Sequence, residues 1–284
     1  MPSLIPGFVR PAILLGEIFA SVKNCHAWHS RLTPLIVKQD QHLVFRTFSA
    51  TKVSEPMADE KPKPQIFAIM RNGHEVIRGG MVDCKEALDS EDIETFQSSW
   101  EKLLKFESMH KTMEEGNGTD DSPKGFFKVL DEKAGEIVTN EGLYTLHKEL
   151  LDLEESVSDG SKVGELDKLK FVFPKFMELN EAHLKKEEDV MMPSIQKMMM
   201  EKQPLKKFMC EEILPTVSGS ADWEFFIKYA NEILEKHHGG MPRVRVFDHA
   251  LWAAATPEEW ALWSGWIEET LKEETYKELL AVLE

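Results

Sequence analysis

The chain has 284 residues, with 50 acids against 34 lysines and arginines and a formal net charge of -16. A surface of that sign repels phosphate backbones and anionic lipid, and no basic block offsets it, so nucleic acid is excluded as an expected partner. Cys25, Cys84 and Cys210 are far apart and form no CxxC pair, which excludes a disulfide framework or zinc knuckle and suits a reducing compartment. No run of about 18 apolar residues occurs, so no membrane span is expected.

Up to Ala50 the only acids are Glu17 and Asp40, against Arg10, Lys23, Arg31, Lys38 and Arg46. That bias is the composition of an organelle transit peptide, and "VFRTFSA" around Arg46 resembles a mitochondrial processing site. A mitochondrial location is expected first. A plastid is the alternative, or the cytoplasm with a true start at Met57. "ADEKPKPQ" reads as a charged linker, so residues 1–64 are assigned to targeting and linker and the folded region opens at Gln65.

From there the apolar spacing is helical. A first segment, Ile66 to Leu88, carries Phe67, Met70, His74, Ile77 and Met81 on one stripe. A second opens at "DSED", with Ser90 as cap and Glu91 and Asp92 favouring the dipole, and carries Leu103, Phe106, His110 and Met113 until "GNGTDDSPKG", with Gly118 and Pro123, ends it. A third, Glu136 to Ser156, carries Leu143, His147, Leu150 and Leu151 and is broken by "SDGSKVG". A fourth, Glu165 to Glu201, carries Phe176, Leu179, His183, Glu187 and Val190, with Pro174 as a kink or effective start. Short connections predict an all-α, up-down-up-down four-helix bundle over residues 65–202.

Residues 203–284 read as a helical extension that packs on the bundle or forms a homodimer. "ADWEFFIKYANEILEKHH" is one helix, closed by Gly239 and Gly240. "ATPEEWALWSGWIEETLKEE" starts another, with Thr256 as cap, Pro257 in the first position and Glu259 completing a capping box. Trp252, Trp260 and Trp263 are read as packing residues. His237, His238 and His249 have no carboxylate at ligand spacing and are not assigned to a metal.

Each of the four bundle helices carries one histidine among its apolar residues, and His74, His110, His147 and His183 stand at nearly equal intervals. In an antiparallel bundle that spacing brings all four to similar depth. Glu114 and Glu187 follow His110 and His183 by one turn and share their faces. Four imidazoles and two carboxylates buried without partners would cost several kcal/mol per ionised group, and metal ions remove that cost. The six ligands suit two iron ions with the glutamates bridging, leaving positions for a small ligand such as O2, NO or an oxo group. Without metal, one of the two carboxyls is expected to take up a proton. Glu115 and Glu188 are read as solvent-facing or as supporting the ligands. Tyr144 is read as a core tyrosine, and Met191, Met192, Met198, Met199 and Met200 as packing residues rather than a copper box.

The four segments "RNGHEVIRGG", "ESMHKTMEEG", "YTLHKELLDLEE" and "EAHLKKEEDVMMP" resemble the hemerythrin-like, or HHE cation-binding, family, over roughly half of the chain. The resemblance implies an iron-holding bundle with an oxo- or carboxylate-bridged iron pair. It is closest in ligand pattern to iron-cluster-repair and iron-sensing members. Oxygen carriers of the family use further histidines and an aspartate that have no match in these helices, so the resemblance points away from oxygen transport. The cysteine-pair segment of the repair branch has no counterpart here. An oxidase or peroxidase on the same metal pair, and a metal-free interaction bundle, are the competing readings.

If residues 1–64 target the protein, N-terminal sequencing of material from its native cell should find a start near Ser49. An intact Met1, or a start at Met57, would count against targeting.

Overall fold

The computed structural model describes residues 65–116, 124–201, 213–237 and 241–283. The targeting and linker assignments before Gln65, Cys25, Cys210, Gly118, Pro123, His238, Gly239, Gly240 and the side chains of Phe67, Met192, Met198, Met199 and Met200 lie outside the described residues. The described residues form ten α-helices and no strand, within one compact unit.

Helix α1 (Gln65–Asp89) and α2 (Ile93–Glu115) make one hairpin. Between α2 and the second hairpin come α3 (Phe126–Ala134) and α4 (Ile137–Asn140). Helices α5 (Leu143–Val163) and α6 (Leu166–Glu201) make the second hairpin. α1 also packs on α6 and α2 on α5, which closes a four-sided bundle. The turns inside each hairpin are too short for anything but antiparallel neighbours, so the order is up-down-up-down.

Several ends differ from the sequence reading. Asp92, not Ser90, caps α2: its carboxylate accepts the Thr95 backbone N–H at 3.1 Å, while the Ser90 hydroxyl donates back to Glu86 and Ala87 carbonyls and closes α1. The third bundle helix starts at Leu143, after the separate turn α4, and runs through "SDGSK" to the left-handed Gly164. Gly160 is tolerated inside it because a Cβ there would stand 3.1 Å from Leu169 on α6; the glycine permits the close approach of the two helices. Helix α6 continues through both Pro174 and Pro193. Tyr144 is 39 % exposed, edge-on to Phe127, rather than a core tyrosine, and Leu151 is 47 % exposed rather than on the buried stripe.

The bundle has two apolar ends. Phe96, Trp100, Phe173 and Phe176 interlock at one, with Trp100 and Phe176 ring centroids 4.9 Å apart. Around α3 a smaller cluster gathers Phe127, Leu130, Val138, Leu143 and Met191. The buried polar stripe lies between them.

The extension comprises a 3-10 turn (Leu214–Thr216), α7 (Trp223–His237), α8 (Met241–Ala254), α9 (Pro257–Thr270) and α10 (Glu273–Leu283). The capping box at Thr256 forms as read from sequence. α7 packs on α1 and α2, and α8 packs on α1. Phe226 stacks on Phe106 of α2 at 4.5 Å, and Trp223 meets Trp263 edge-on at 5.4 Å. Trp252 and Trp260 are partly buried against the same core. The extension therefore shares the main hydrophobic core of the bundle.

Between α7 and α8 one polar pair is fully buried: Asn231 Nδ2 donates to Asp248 Oδ1 at 3.1 Å. Burial drives the Asp248 carboxyl up to about 8 against the smaller, opposing effect of Asn231. The folded state thus prefers neutral Asp248, and its contribution to stability is present below about pH 4 and is lost as pH rises to about 8. Asp248→Asn should unfold at nearly the parent's temperature at pH 4 and above it at pH 8, measured by thermal melting of both. Parallel melting curves across that range would show that Asp248 is ionised in the fold.

Candidate metal centre

Helix periodicity places one histidine of each bundle helix on the inner face at one level. His74 comes from α1, His110 and Glu114 from α2, His147 from α5, and His183 and Glu187 from α6; all six are buried. His74, His110, Glu114 and Glu187 each offer one ligand atom within 4.8 Å of the others, and so do Glu114, His147, His183 and Glu187. The structure brings together all six residues singled out from the sequence. Both glutamates belong to both groups.

The ring nitrogens face the carboxylates. His74 Nε2 lies 3.1 Å from Glu187 Oε2, His110 Nε2 3.2 Å from Glu114 Oε1, and His147 Nε2 3.4 Å from Glu114 Oε2. His183 Nε2 is 2.6 Å from Glu187 Oε1, and His147 Nε2 is 3.6 Å from the same oxygen. These approaches lack hydrogen-bond geometry at Nε2 of His74, His110 and His183, at both oxygens of Glu187 and at Glu114 Oε2. Buried polar atoms left in that state cost about 1–3 kcal/mol each. Convergent lone pairs of nitrogen and carboxylate oxygen fit transition-metal ions, which would satisfy them together. Among the described residues no thiolate takes part: Cys84 is buried away from the cluster, and burial pushes its thiol up.

The far side of two imidazoles is also fixed. His74 Nδ1 lies 3.0 Å from Glu188 Oε1, and His147 Nδ1 pairs with Glu115 Oε1. Each second acid of the two EE pairs therefore crosses to the histidine of the other hairpin. An Nδ1–H held in this way turns Nε2 toward the centre. Glu115 and Glu188 thus orient these two rings, the supporting role that the sequence reading gave as one alternative. Arg78 donates to Glu188 at 2.9 Å and, in a two-pronged pair at 2.8 and 3.0 Å, to Glu181. His147 is held further by Phe127 of α3, stacked at 5.1 Å.

Charge within the metal-free cluster follows from these contacts. Burial acts to lower His74, but Glu187 and Glu188 outweigh it and raise its pKa to about 9; His147 reaches about 11 for the same reason, through Glu114 and Glu115. Burial and Glu187 act to raise Glu114, but His110 and His147 draw it down to about 2, and Glu187 is held well below the carboxylate range by His183, His147 and His74. These shifts favour protons on the imidazoles over Glu114 and Glu187, contrary to the sequence expectation. The carboxyls are matched by four nearby rings, so they need no proton of their own.

A cavity of about 30 Å³ reaches the cluster at His110, Glu114, His147 and His183. Its outer wall includes Glu107, Lys111 and Glu154. Burial and the Glu154 carboxylate push Glu107 up to about 8 although the Asn180 amide donates to it. Sequence reading did not single out Glu107 and Asn180. The signal was present, since each stands three residues before a cluster histidine and so on the same helix face. Arg78 carried a signal of the same kind, one turn after His74, although its partners Glu181 and Glu188 come from a distant helix; Phe127 carried none, because long-range packing alone brings it to the site. In the extension, His237 pairs with Asp83 at 2.5 Å and His249 stacks on Trp252; neither joins a metal-competent group among the described residues.

No protein-family model, curated protein or solved structure matches this chain.

The orientation of His74 and His147 can be tested without metal. Proton NMR of the metal-free protein should show protected downfield Nδ1–H signals for His74 and His147, and Glu188→Ala should remove the His74 Nδ1–H signal while leaving that of His147. Persistence of both signals in Glu188→Ala would disprove the His74–Glu188 pairing.

Proposed function

We propose that this chain is a hemerythrin-like protein that holds two iron ions at His74, His110, Glu114, His147, His183 and Glu187, and there handles iron or a small ligand such as O2 or NO. The observation that carries the reading is the sharing of Glu114 and Glu187 between the two four-residue groups. One carboxylate per group would suit a single ion. Two carboxylates common to both groups suit a bridged pair, with two imidazoles completing each half. The donor set of nitrogen and oxygen favours iron over structural zinc, which more often uses thiolate, and over calcium, which needs a fuller set of oxygens.

Bound there, the ions would supply Lewis acidity, redox change and open positions for a small ligand. The chain's own residues prepare for this. Glu115 and Glu188 hold two imidazoles in the tautomer that presents Nε2. Phe127 and the aromatic end of the bundle keep water from most of the cluster. The cavity admits a molecule of two or three atoms, which supports ligand binding over oxidation of an organic substrate.

Full-length protein produced with iron should contain about two ions per chain, and its ultraviolet-visible spectrum should change on admitting O2. Glu187→Ala should lose most of the iron, because that residue serves both halves. Iron should also raise the melting temperature, by an amount equivalent to about 4 kcal/mol at a thousandfold excess over Kd. Less than one ion per chain, with no change in melting on adding iron, would overturn the reading in favour of a metal-free bundle.

A further inference from the structure

The two halves of the cluster are supported differently. Glu188, which holds His74, is itself gripped by Arg78 at 2.9 Å. Glu115, which holds His147, has a side chain 33 % exposed against 19 % for Glu188. The grip on the His74 side continues outward. Arg78 Nη1 also reaches Glu75 Oε1 at 3.4 Å, and Arg243 Nη2 of α8 stands 4.0 Å from that same oxygen. Arg71 Nε donates to the same oxygen at 3.4 Å, so Glu75 lies among three guanidinium groups and offsets their repulsion.

A second contact pins α8 to the turn of α1 that bears His74. Asn72, fully buried, donates to the Arg243 carbonyl at 3.1 Å and accepts from Arg243 Nη1 at 3.3 Å. Asn72 precedes His74 by two residues and Glu75 follows it by one. A single residue of the extension therefore holds the backbone of this turn through Asn72 and meets its charge network through Glu75. Among the described residues no comparable contact connects the extension to His147, and its helix, α5, has no substantial packing on α7 or α8.

We propose that the C-terminal extension is a working part of the His74 half of the centre: Arg243, through Asn72, Glu75 and Arg78, keeps Glu188 seated on His74 and so sets the metal affinity of that half. The proposal rests on the two-metal reading above. By linkage the effect runs both ways: docking of α8 strengthens metal binding by His74 and His110, and metal there holds α8 down. Arg243 and Arg78 are positioning residues, since neither reaches the ligand nitrogens.

The test is titration of metal-free, full-length protein with cobalt(II), whose visible spectrum reports each filled site. The parent should bind two ions. Arg78→Ala and Arg243→Ala should each weaken one binding step, by about tenfold or more for Arg78, as is usual when a group behind a ligand is lost. The effect of Arg243→Ala should be smaller, because Glu181 still anchors Arg78. In a His147→Ala background, which leaves the His74 half, the surviving step should still respond to Arg243→Ala; in a His74→Ala background it should not. Arg243→Lys, which keeps the charge, should restore part of the loss. Hydrogen exchange should show α8 more protected on metal loading in the parent and unchanged on loading in Arg243→Ala. Equal weakening of both steps would mean only general destabilisation, and no weakening would mean no coupling; either overturns the proposal. A parent that binds no cobalt would sink the two-metal reading and the proposal with it, an outcome distinct from two normal steps that ignore Arg243.

Discussion

The placement of two carboxylates, Glu114 and Glu187, in a dry interior is the constraint on which the rest of this structure depends. An ionised carboxyl taken out of water without partners costs several kcal/mol, a large share of the net stability of a domain. The chain meets that cost by surrounding the pair with four imidazoles, one from each bundle helix. Each imidazole must arrive at the same depth with its Nε2 inward. The near-equal spacing of the four histidines follows from that requirement, because in an antiparallel bundle equal helix-plus-turn lengths set equal depths. The crossed acids Glu115 and Glu188 follow from it too, since they fix the ring orientation that spacing alone leaves free.

The apolar ends serve the same constraint. Phe96, Trp100, Phe173 and Phe176 close the bundle on one side of the polar level, and the α3 cluster covers the other, with Phe127 flat on His147. Tight packing at both ends keeps the helices from sliding, and a slide of one residue would turn a ligand out of the centre. The two halves are nevertheless unequal. His74 is completely buried and backed by Glu188, Arg78 and Glu75, whereas three of the four residues of the other group line the cavity. Support from behind the ring is tightest at His74, while the cavity reaches His110 of the first group as well as His147 and His183 of the second.

Much of this was legible in the sequence. Histidines on the buried stripe, each pair closed by a carboxylate one turn on, identified the six residues, because side chains on a regular helix are placed by periodicity alone. The same reasoning failed where regularity ends. Helix α3 follows a stretch rich in glycine and acids and carries a short apolar pattern, so its role as a cover for His147 emerges only from tertiary packing. "SDGSK" reads as a breaker, yet close approach to Leu169 favours a glycine within the helix. Arg78 stands one turn after His74, which places it near the site but does not say what it holds. Its function depends on Glu181 and Glu188, over a hundred positions away, and no local pattern announces such partners.

The charge state of the cluster also escaped a reading by residue type. Two carboxylates considered alone in an apolar interior would be expected to share a proton. Four imidazoles at contact distance reverse that outcome, since transferring a proton to a ring converts two buried unlike neutrals into an ion pair within a few ångströms, where the low dielectric strengthens attraction. His74 and His147, the two rings with a second acid behind them, are both raised, and Glu188 and Glu115 are among the causes. The acids that orient these two rings thus also make them stronger bases. On the proposed metal reading, an incoming ion would compete with protons on the imidazoles rather than on Glu114 and Glu187, whose carboxyls are drawn below the usual range. The contacts that balance the charge of the cluster are thus the same ones that fix the orientation of its rings.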